Sequence, residues 1–374
     1  MLDAIAELGA AVGVDAYPHL SVRALSAGWT RRATVSCGGA AHLLAAGTEW
    51  VALSLPRAVD VEALPAFLET TEQLGVTLDE RLWARVAAHV APRDASTIVE
   101  RARMLGLAAA RLGERRPTGS GVIRTVVGSG LPSVSPPLVV DLSSLWAGPL
   151  CSRVLADMLG ARVVKIEASD RPDGARAGPI VFYDQLHHGH ESVALDFSKR
   201  ADLAALRRLV GRADVVVEGS RPRALEQLGI RAADLLADGP RVWVSITGHG
   251  RAEPRAGWIG FGDDAAVAGG LVARVLGAPP MFAVDAIADP LAGLAAAGAT
   301  RDALRSGERV LLDVGLSAVA AAVAARGGDA LWTPVATSRS SAPAPPQATP
   351  SRRTRPARPA LGRDTAAVLR ELGG

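Results

Sequence analysis

The stretch Ala283 to Ala296, A-V-D-A-I-A-D-P-L-A-G-L-A-A, puts a carboxylate at a strand-to-helix junction. Asp289 followed by Pro290 is a helix-start signal. Asp can accept from the first free backbone N–H groups, and Pro suits the first helical position, whose N–H needs no partner. A carboxylate there sits at the positive end of the helix dipole, which favours its ionised form and fixes its direction. Such a group can act as a nucleophile without a separate base. Plain capping is the commonest use of Asp-Pro, so these residues alone leave both roles open. Three near-adjacent histidines, His187, His188 and His190, lie in a loop with no fixed carboxylate partner, and we expect them to face solvent rather than hold a metal. His42 and His89 have no spaced partner either. Cys37 and Cys151 make no CxxC and no disulfide framework, which fits a reducing cytoplasm.

The elements that must position Asp289 form an alternating series. Leu138–Leu142 reads as a short buried strand, Gly148–Leu159 as a helix stopped by Gly160, and Arg162–Glu167 as a second strand. Ser192–Asp196, Ala213–Glu218, Arg241–Ile246 and Glu308–Val314 read as further strands, with helices over Lys199–Val210 and Leu316–Ala325. This alternation predicts an α/β chain with a Rossmann-like, doubly wound parallel sheet. Its first strand-to-helix turn, Leu145 Trp146 Ala147 Gly148 Pro149, falls where open sheets bind ligands. No G-x-G-x-x-G or Walker pattern is present, which argues against a nicotinamide enzyme or a P-loop ATPase.

Before that series, residues 1–112 read as a smaller α+β domain. It has helical patterns to about residue 34 and at about 59–69, 79–90 and 96–106. A short helix-like piece follows Gly38 Gly39, and Trp50–Leu55 reads as a strand. Residues 113–137, rich in Gly, Pro, Ser and Arg, read as a linker, and 138–330 as the large domain. Residues 331–360 form a Pro/Ser/Arg-rich connector whose Arg352, Arg353, Arg355 and Arg358 read as solvated. Residues 361–374 read as an amphipathic helix capped by Asp364 or Thr365 and docked on the main domain.

The chain has 374 residues, 49% of them hydrophobic, enough for about two cores. Its formal charge is only +3, and Lys165 and Lys199 are the only lysines. No basic run is interleaved with aromatics, so we expect no nucleic-acid partner. The longest nearly apolar run, Val310–Ala325, is interrupted by Asp313 and is shorter than the roughly 20 residues of a membrane span, so we expect no membrane partner. The N-terminus carries no basic region or cleavage signal, and the expected location is the cytoplasm.

Five segments stand out by their order and spacing: V-V-D-L-S-S-L-W-A-G-P at 139–149, L-G-A-R-V-V-K-I-E at 159–167, E-S-V-A-L-D-F at 191–197, A-D-V-V-V-E-G-S-R-P-R-A-L-E-Q-L-G-I at 213–230 and A-I-A-D-P-L-A-G at 286–293. Together they resemble the class III CoA-transferase family, the group of formyl-CoA transferase, carnitine CoA-transferase and α-methylacyl-CoA racemase. The tail L-G-R-D-T-A-A-V-L-R-E-L-G is similar to the family's C-terminus. The resemblance implies that Asp289 is the catalytic carboxylate. It would attack an acyl-CoA thioester to give an anhydride, then carry CoA as an aspartyl thioester until an acceptor carboxylate completes the exchange. It further implies that coenzyme A, as acyl-CoA substrate, is held by backbone contacts at Leu145, Trp146 and Ala147 with Gly148 beside them, and that the assembly is a homodimer.

Several positions depart from the family pattern. The basic pair before the S-V-A-L-D strand is His190 Glu191, the Arg after K-I-E is Ala168, and the Asn after the fourth strand is Gly219. The CoA site implied therefore comprises His190 and Gly219 at those places, with Arg171, Arg221 and Arg223 as the groups that can meet phosphate. Segments resembling the family's smaller domain, G-T-E-W-V-A-L-S-L and L-G-L-A-A-A-R-L-G, precede the large domain rather than follow it. This is a permuted arrangement or the remnant of a fused second copy, and it leaves the family's interlocked dimer open. The racemase branch uses a His where this chain has Phe261 Gly262, which speaks against a 2-methylacyl-CoA racemase or epimerase. A CoA-binding paralogue without activity is the third reading.

Overall fold

The computed structural model describes residues 2–72, 74–75, 77–130, 136–327 and 359–372. The chain opens with helices α1 (Leu2–Ala11) and α2 (Ala16–Ala27). Asp15 caps α2, accepting from the Tyr17 N–H at 3.0 Å, and Gly28 ends it in the left-handed conformation. Their buried residues Ala4, Ile5, Ala16 and Leu20, with Val12 from the turn between them, join the core of the large sheet. The expected 1–112 unit therefore begins with two helices that pack elsewhere.

Its remainder builds a separate core. Strands β1 (Ala41–Ala46), β2 (Glu49–Ser54) and β3 (Ala108–Arg111) form an antiparallel sheet in the order β1-β2-β3. Between them run α3 (Ala58–Glu62), α4 (Leu64–Phe67), α5 (Glu80–Val90) and α6 (Ala95–Met104). Leu53, Phe67, Trp83, Val86 and Ile98 fill the interior. The A-H-L-L-A-A segment, expected to be helix-like, is strand β1. The Gly47 turn pairs it residue for residue with β2, and that pairing overrides its Ala/Leu composition. The expected 113–137 linker likewise contains an eight-residue strand, β4 (Val122–Ser129), antiparallel to the last strand of the large sheet. Its V-I-R-T-V-V run favours a pleated chain despite the Gly and Pro around it.

The large sheet continues through β5 (Leu138–Asp141), helix α7 (Ala147–Leu159), β6 (Arg162–Ala168), helix α8 (Ile180–His187), β7 (Glu191–Leu195) and helix α9 (Arg200–Arg212). Next come β8 (Val215–Glu218), the short helices α10 (Pro222–Gln227) and α11 (Ala232–Leu235), and β9 (Val242–Thr247). After α12 (Gly262–Ala268) and the two-residue ladder of β10 (Val272–Ala273) and β11 (Met281–Phe282) come α13 (Ala288–Ser306), β12 (Glu308–Gly315) and α14 (Leu316–Arg326). The strand order is β4-β12-β9-β8-β5-β6-β7, and every pair but β4–β12 is parallel. This is the doubly wound arrangement, with the chain reversing direction across the sheet between β5 and β8. Both faces are covered, so the strands read as nearly continuous valine runs. Val139, Val163, Val215 and Val217 face α7, α13 and the two N-terminal helices, while Val140, Val164, Val193 and Val216 face α9 and its neighbours.

Helix α15 (Thr365–Leu372) closes the edge. Asp364 and Thr365 bind that edge directly: the Ser192 N–H donates to Asp364 Oδ2 at 2.8 Å and the Ala194 N–H to Thr365 Oγ1 at 3.0 Å, which covers the open side of β7. The connector's Arg352, Arg353, Arg355 and Arg358 lie outside the described residues. Among the described residues, no helix is long and apolar enough to cross a membrane.

Candidate active site

Asp289 lies in the first turn of α13, but the helix begins two residues earlier than the sequence suggests. Ile287 holds the cap position, and the Asp289 N–H donates to the Ala286 carbonyl at 2.9 Å. Its carboxylate is thus not used for capping and turns toward Gly262 at the start of α12. A Cβ at Gly262 would lie 2.2 Å from Asp289 Oδ2, so only glycine fits there.

The carboxylate opens on a cavity of about 390 Å³ at the carboxyl ends of the strands. The turn after β5 supplies Leu145, Trp146, Ala147 and Gly148, the end of β8 supplies Gly219, and Thr247 and Gly248 come from the end of β9. Asp289, the β5 turn and Gly219 therefore share one space at the point where the sheet reverses direction, the usual ligand crevice of this architecture. The opposite wall comes from the N-terminal segment, through Arg23, Trp29, Gly38, Ala41, Ser54 and Pro56.

Buried charge holds the β5 turn in an unfavourable backbone conformation. Leu145 adopts φ 70°, a left-handed conformation unfavourable for a branched side chain. Its N–H donates to Asp173 Oδ1 at 2.9 Å, and Asp173 Oδ2 pairs with Lys165 Nζ at 3.2 Å. Lys165 also donates to the Ser143 carbonyl. Burial works to lower the Lys165 pKa, but Asp141 and Asp173 outweigh it and raise it, so the ammonium stays charged. Gly148 sits where a Cβ would meet Ser143 Oγ at 2.1 Å, which lets α7 start directly against β5. The Trp146 ring is buried edge-on to Phe182 at 5.0 Å.

Arg171, Arg221 and Arg223 are exposed on the rim at this end of the sheet, after β6 and β8, and do not line the cavity. His190 is elsewhere. It precedes β7 and so lies at the amino edge of a parallel sheet, away from the carboxyl-end cavity, beside a separate polar pocket with Arg153, Asp157 and Arg162. Both its ring nitrogens are buried without partners, and burial, with help from Arg153, pushes its pKa down to about 3. His187 is also buried, so the expectation of solvent-facing histidines fails for these two. His249 packs against Trp258 behind Gly260 and does not line the cavity.

Three charged residues near Asp289 carry no sequence signal of their own. Arg23 Nε and Nη2 grip Asp285 Oδ2 and Oδ1 at 2.8 and 2.6 Å. Asp263 accepts from the Ala286 N–H at 2.9 Å and lines the cavity. Burial pushes the Asp289 carboxyl up to about 7; Arg23 opposes the rise, and Asp263 and Asp285 add to it. Burial, then Asp285, brings Asp263 to about 7 as well. Contrary to the expectation from the helix dipole, burial makes the Asp289 carboxyl harder to ionise than an exposed Asp. The adjacent D-D pair divides its work, since Asp264 points back to accept from Ser54 Oγ at 2.8 Å and ties the small sheet to α12.

The family model described as CoA-transferase family III matches residues 137–354. The chain is 33% identical over 220 residues to succinate–glutarate CoA-transferase of Agrobacterium fabrum, covering 52% of this chain and 54% of that protein. It is 30% identical over 193 residues to succinyl-CoA–D-citramalate CoA-transferase of Chloroflexus aurantiacus, covering 48% of each. It is also 40% identical over 116 residues to human alpha-methylacyl-CoA racemase, covering 30% of this chain and 28% of that protein. The chain thus spans about half the length of the first two relatives.

Proposed function

We propose, from the premise that this chain belongs to CoA-transferase family III, whose model matches more than half of it, that it moves CoA between carboxylic acids with Asp289 as nucleophile. One observation supports the reading above all: Asp289 and the turn Leu145–Gly148 line the same cavity, at the sheet's switch point. The ionised Asp289 carboxylate attacks the thioester carbonyl, the carbon–sulfur bond breaks, and CoA leaves as a thiolate from an acyl–aspartyl anhydride. The thiolate then attacks the aspartyl carbonyl, releasing the first acid and leaving an aspartyl-CoA thioester. An acceptor carboxylate attacks that thioester, and the returning thiolate takes the new acyl group and frees Asp289.

In this reading the CoA adenine rests on the backbone of Leu145, Trp146 and Ala147 beside Gly148 and Gly219, with Arg171, Arg221 and Arg223 on the rim toward the phosphates. The largely apolar wall built by Trp29, Trp146, Phe182 and Phe261 keeps water from the anhydride. We extend the proposal to a homodimer working in the cytoplasm. The exposed edge strand β4, with Ile123, Val126 and Val127 about half exposed, supports the dimer.

The test is a panel of acyl-CoA donors and free acids assayed with the wild type and Asp289→Asn. CoA exchange in the wild type, lost in the variant with CoA affinity retained, supports the reading. CoA binding without exchange by the wild type would identify an inactive paralogue. A 2-methylacyl-CoA racemase is the second reading, favoured by Asp263 as a second carboxyl lining the cavity and disfavoured by the position of His249 behind Gly260. It requires deuterium to enter the α-position of the substrate in heavy water.

A further inference from the structure

We propose that Arg23 holds the carboxylate of the free acid beside Asp289, both the acid released from the acyl-CoA and the acid that replaces it. This inference rests on the transferase reading, which brings a negatively charged acid next to a carboxylate nucleophile, an approach that Coulomb repulsion disfavours unless a cation is at hand. Arg23 is the only Lys or Arg among the described residues that line the cavity. Its Nε and Nη2 are engaged by Asp285, which leaves Nη1 without a hydrogen-bond partner among the described residues. Asp285 is fully buried and holds the guanidinium, with the rings of Trp29 and Trp146 at 5.6 and 5.1 Å from its central carbon. The side chain keeps 27% of its surface exposed. An arginine immobilised before ligand arrives offers N–H donors to a carboxylate with little further loss of rotamer freedom. An anion entering the cavity therefore meets Arg23 as the one side-chain cation among the described residues that line it.

Carboxylate binding is measured by calorimetry without CoA, titrating the chain with sodium succinate and sodium acetate and, as neutral controls, succinamide and acetamide. The wild type is expected to bind the anions and not the amides. Arg23→Lys keeps a cation against Asp285 but loses the planar fork, and should weaken anion binding about tenfold. The double variant Arg23→Gln with Asp285→Asn replaces the ion pair by two amides, avoids a stranded buried charge, and should weaken binding about a hundredfold or abolish it, with CoA affinity unchanged. In the transfer assay both variants should raise the KM for the acceptor acid and leave the KM for acyl-CoA nearly constant. Failure of the wild type to bind either anion, or equal affinity in the wild type and the double variant, overturns the role of Arg23. The titration stands apart from turnover. A chain that binds anions through Arg23 yet transfers no CoA would refute the transferase reading alone, and transfer with an unchanged acceptor KM in both variants would refute the Arg23 role alone.

Discussion

At the residue scale the decisive quantity is the proton on Asp289. Burial outweighs the opposing Arg23 and pushes the carboxyl up to about 7, close to Asp263 at about 7. A nucleophile must be ionised, so kcat/KM should rise with pH and level off above an apparent pKa near 7 that belongs to the two carboxyls jointly. A pH profile flat from 5 to 8 would contradict this. The same shift has a stability consequence of opposite sense. An acid whose folded pKa lies above its unfolded value of about 3.9 holds its proton longer in the folded state, so its contribution is fully present below pH 4 and is lost as pH rises through 7. Asp289→Asn should therefore stabilise the fold at pH 8, by about 1 to 3 kcal/mol, and change little at pH 4. Turnover should fall by about a thousandfold or more, because an amide cannot form the anhydride. Urea denaturation at both pH values checks the first point, and the exchange assay checks the second.

At the scale of elements, the site depends on the close approach of α12 to α13 and on the turn after β5. Gly262→Ala would put a Cβ 2.2 Å from Asp289 Oδ2 and 2.4 Å from the Ala286 carbonyl. It should cost about 1 to 3 kcal/mol and lower kcat by displacing the carboxylate, readable from melting and steady-state kinetics on one preparation. Asp173→Asn keeps an acceptor for the Leu145 N–H but strips Lys165 of a buried partner at 3.2 Å; a loss of about 2 to 4 kcal/mol and a raised KM for acyl-CoA are expected. The β5 turn and the helix that carries Asp289 are legible in the sequence because their signals are local: valine runs mark strands, Gly160 stops a helix, and Asp-Pro falls in the first turn of α13, although the cap lies two residues before Asp289. Strand β1 is not legible in its own residues, because Ala and Leu carry no strand preference and its conformation depends on pairing with β2. Adjacency to a motif strand does not say which edge of the sheet a residue occupies, and His190, just before β7, lies away from the Asp289 cavity. Arg23 was illegible, since nothing in an ordinary amphipathic helix announces that it docks beside a carboxylate 266 positions later.

At the scale of the whole molecule, the small sheet and the N-terminal helices complete a cavity that the large sheet leaves open. Ser54 Oγ donates to Asp264 across that junction, and Ser54→Ala would leave the buried Asp264 with one fewer donor. A loss of about 1 to 3 kcal/mol and faster wasteful hydrolysis of acyl-CoA should follow as water gains entry, measured by melting and by thiol release without acceptor. If β4 forms the dimer contact, Val126→Lys should shift the sedimentation coefficient toward the monomer. The predicted losses of turnover presuppose that Asp289 carries the acyl group and then CoA. The most direct test of that claim is to incubate the chain with a broad panel of acyl-CoAs in the presence of hydroxylamine and map the modification by peptide mass spectrometry. The account predicts a hydroxamate on Asp289, absent without acyl-CoA and absent in Asp289→Asn. Rapid CoA exchange with Asp289 unmodified, or with the adduct on another residue, would contradict it.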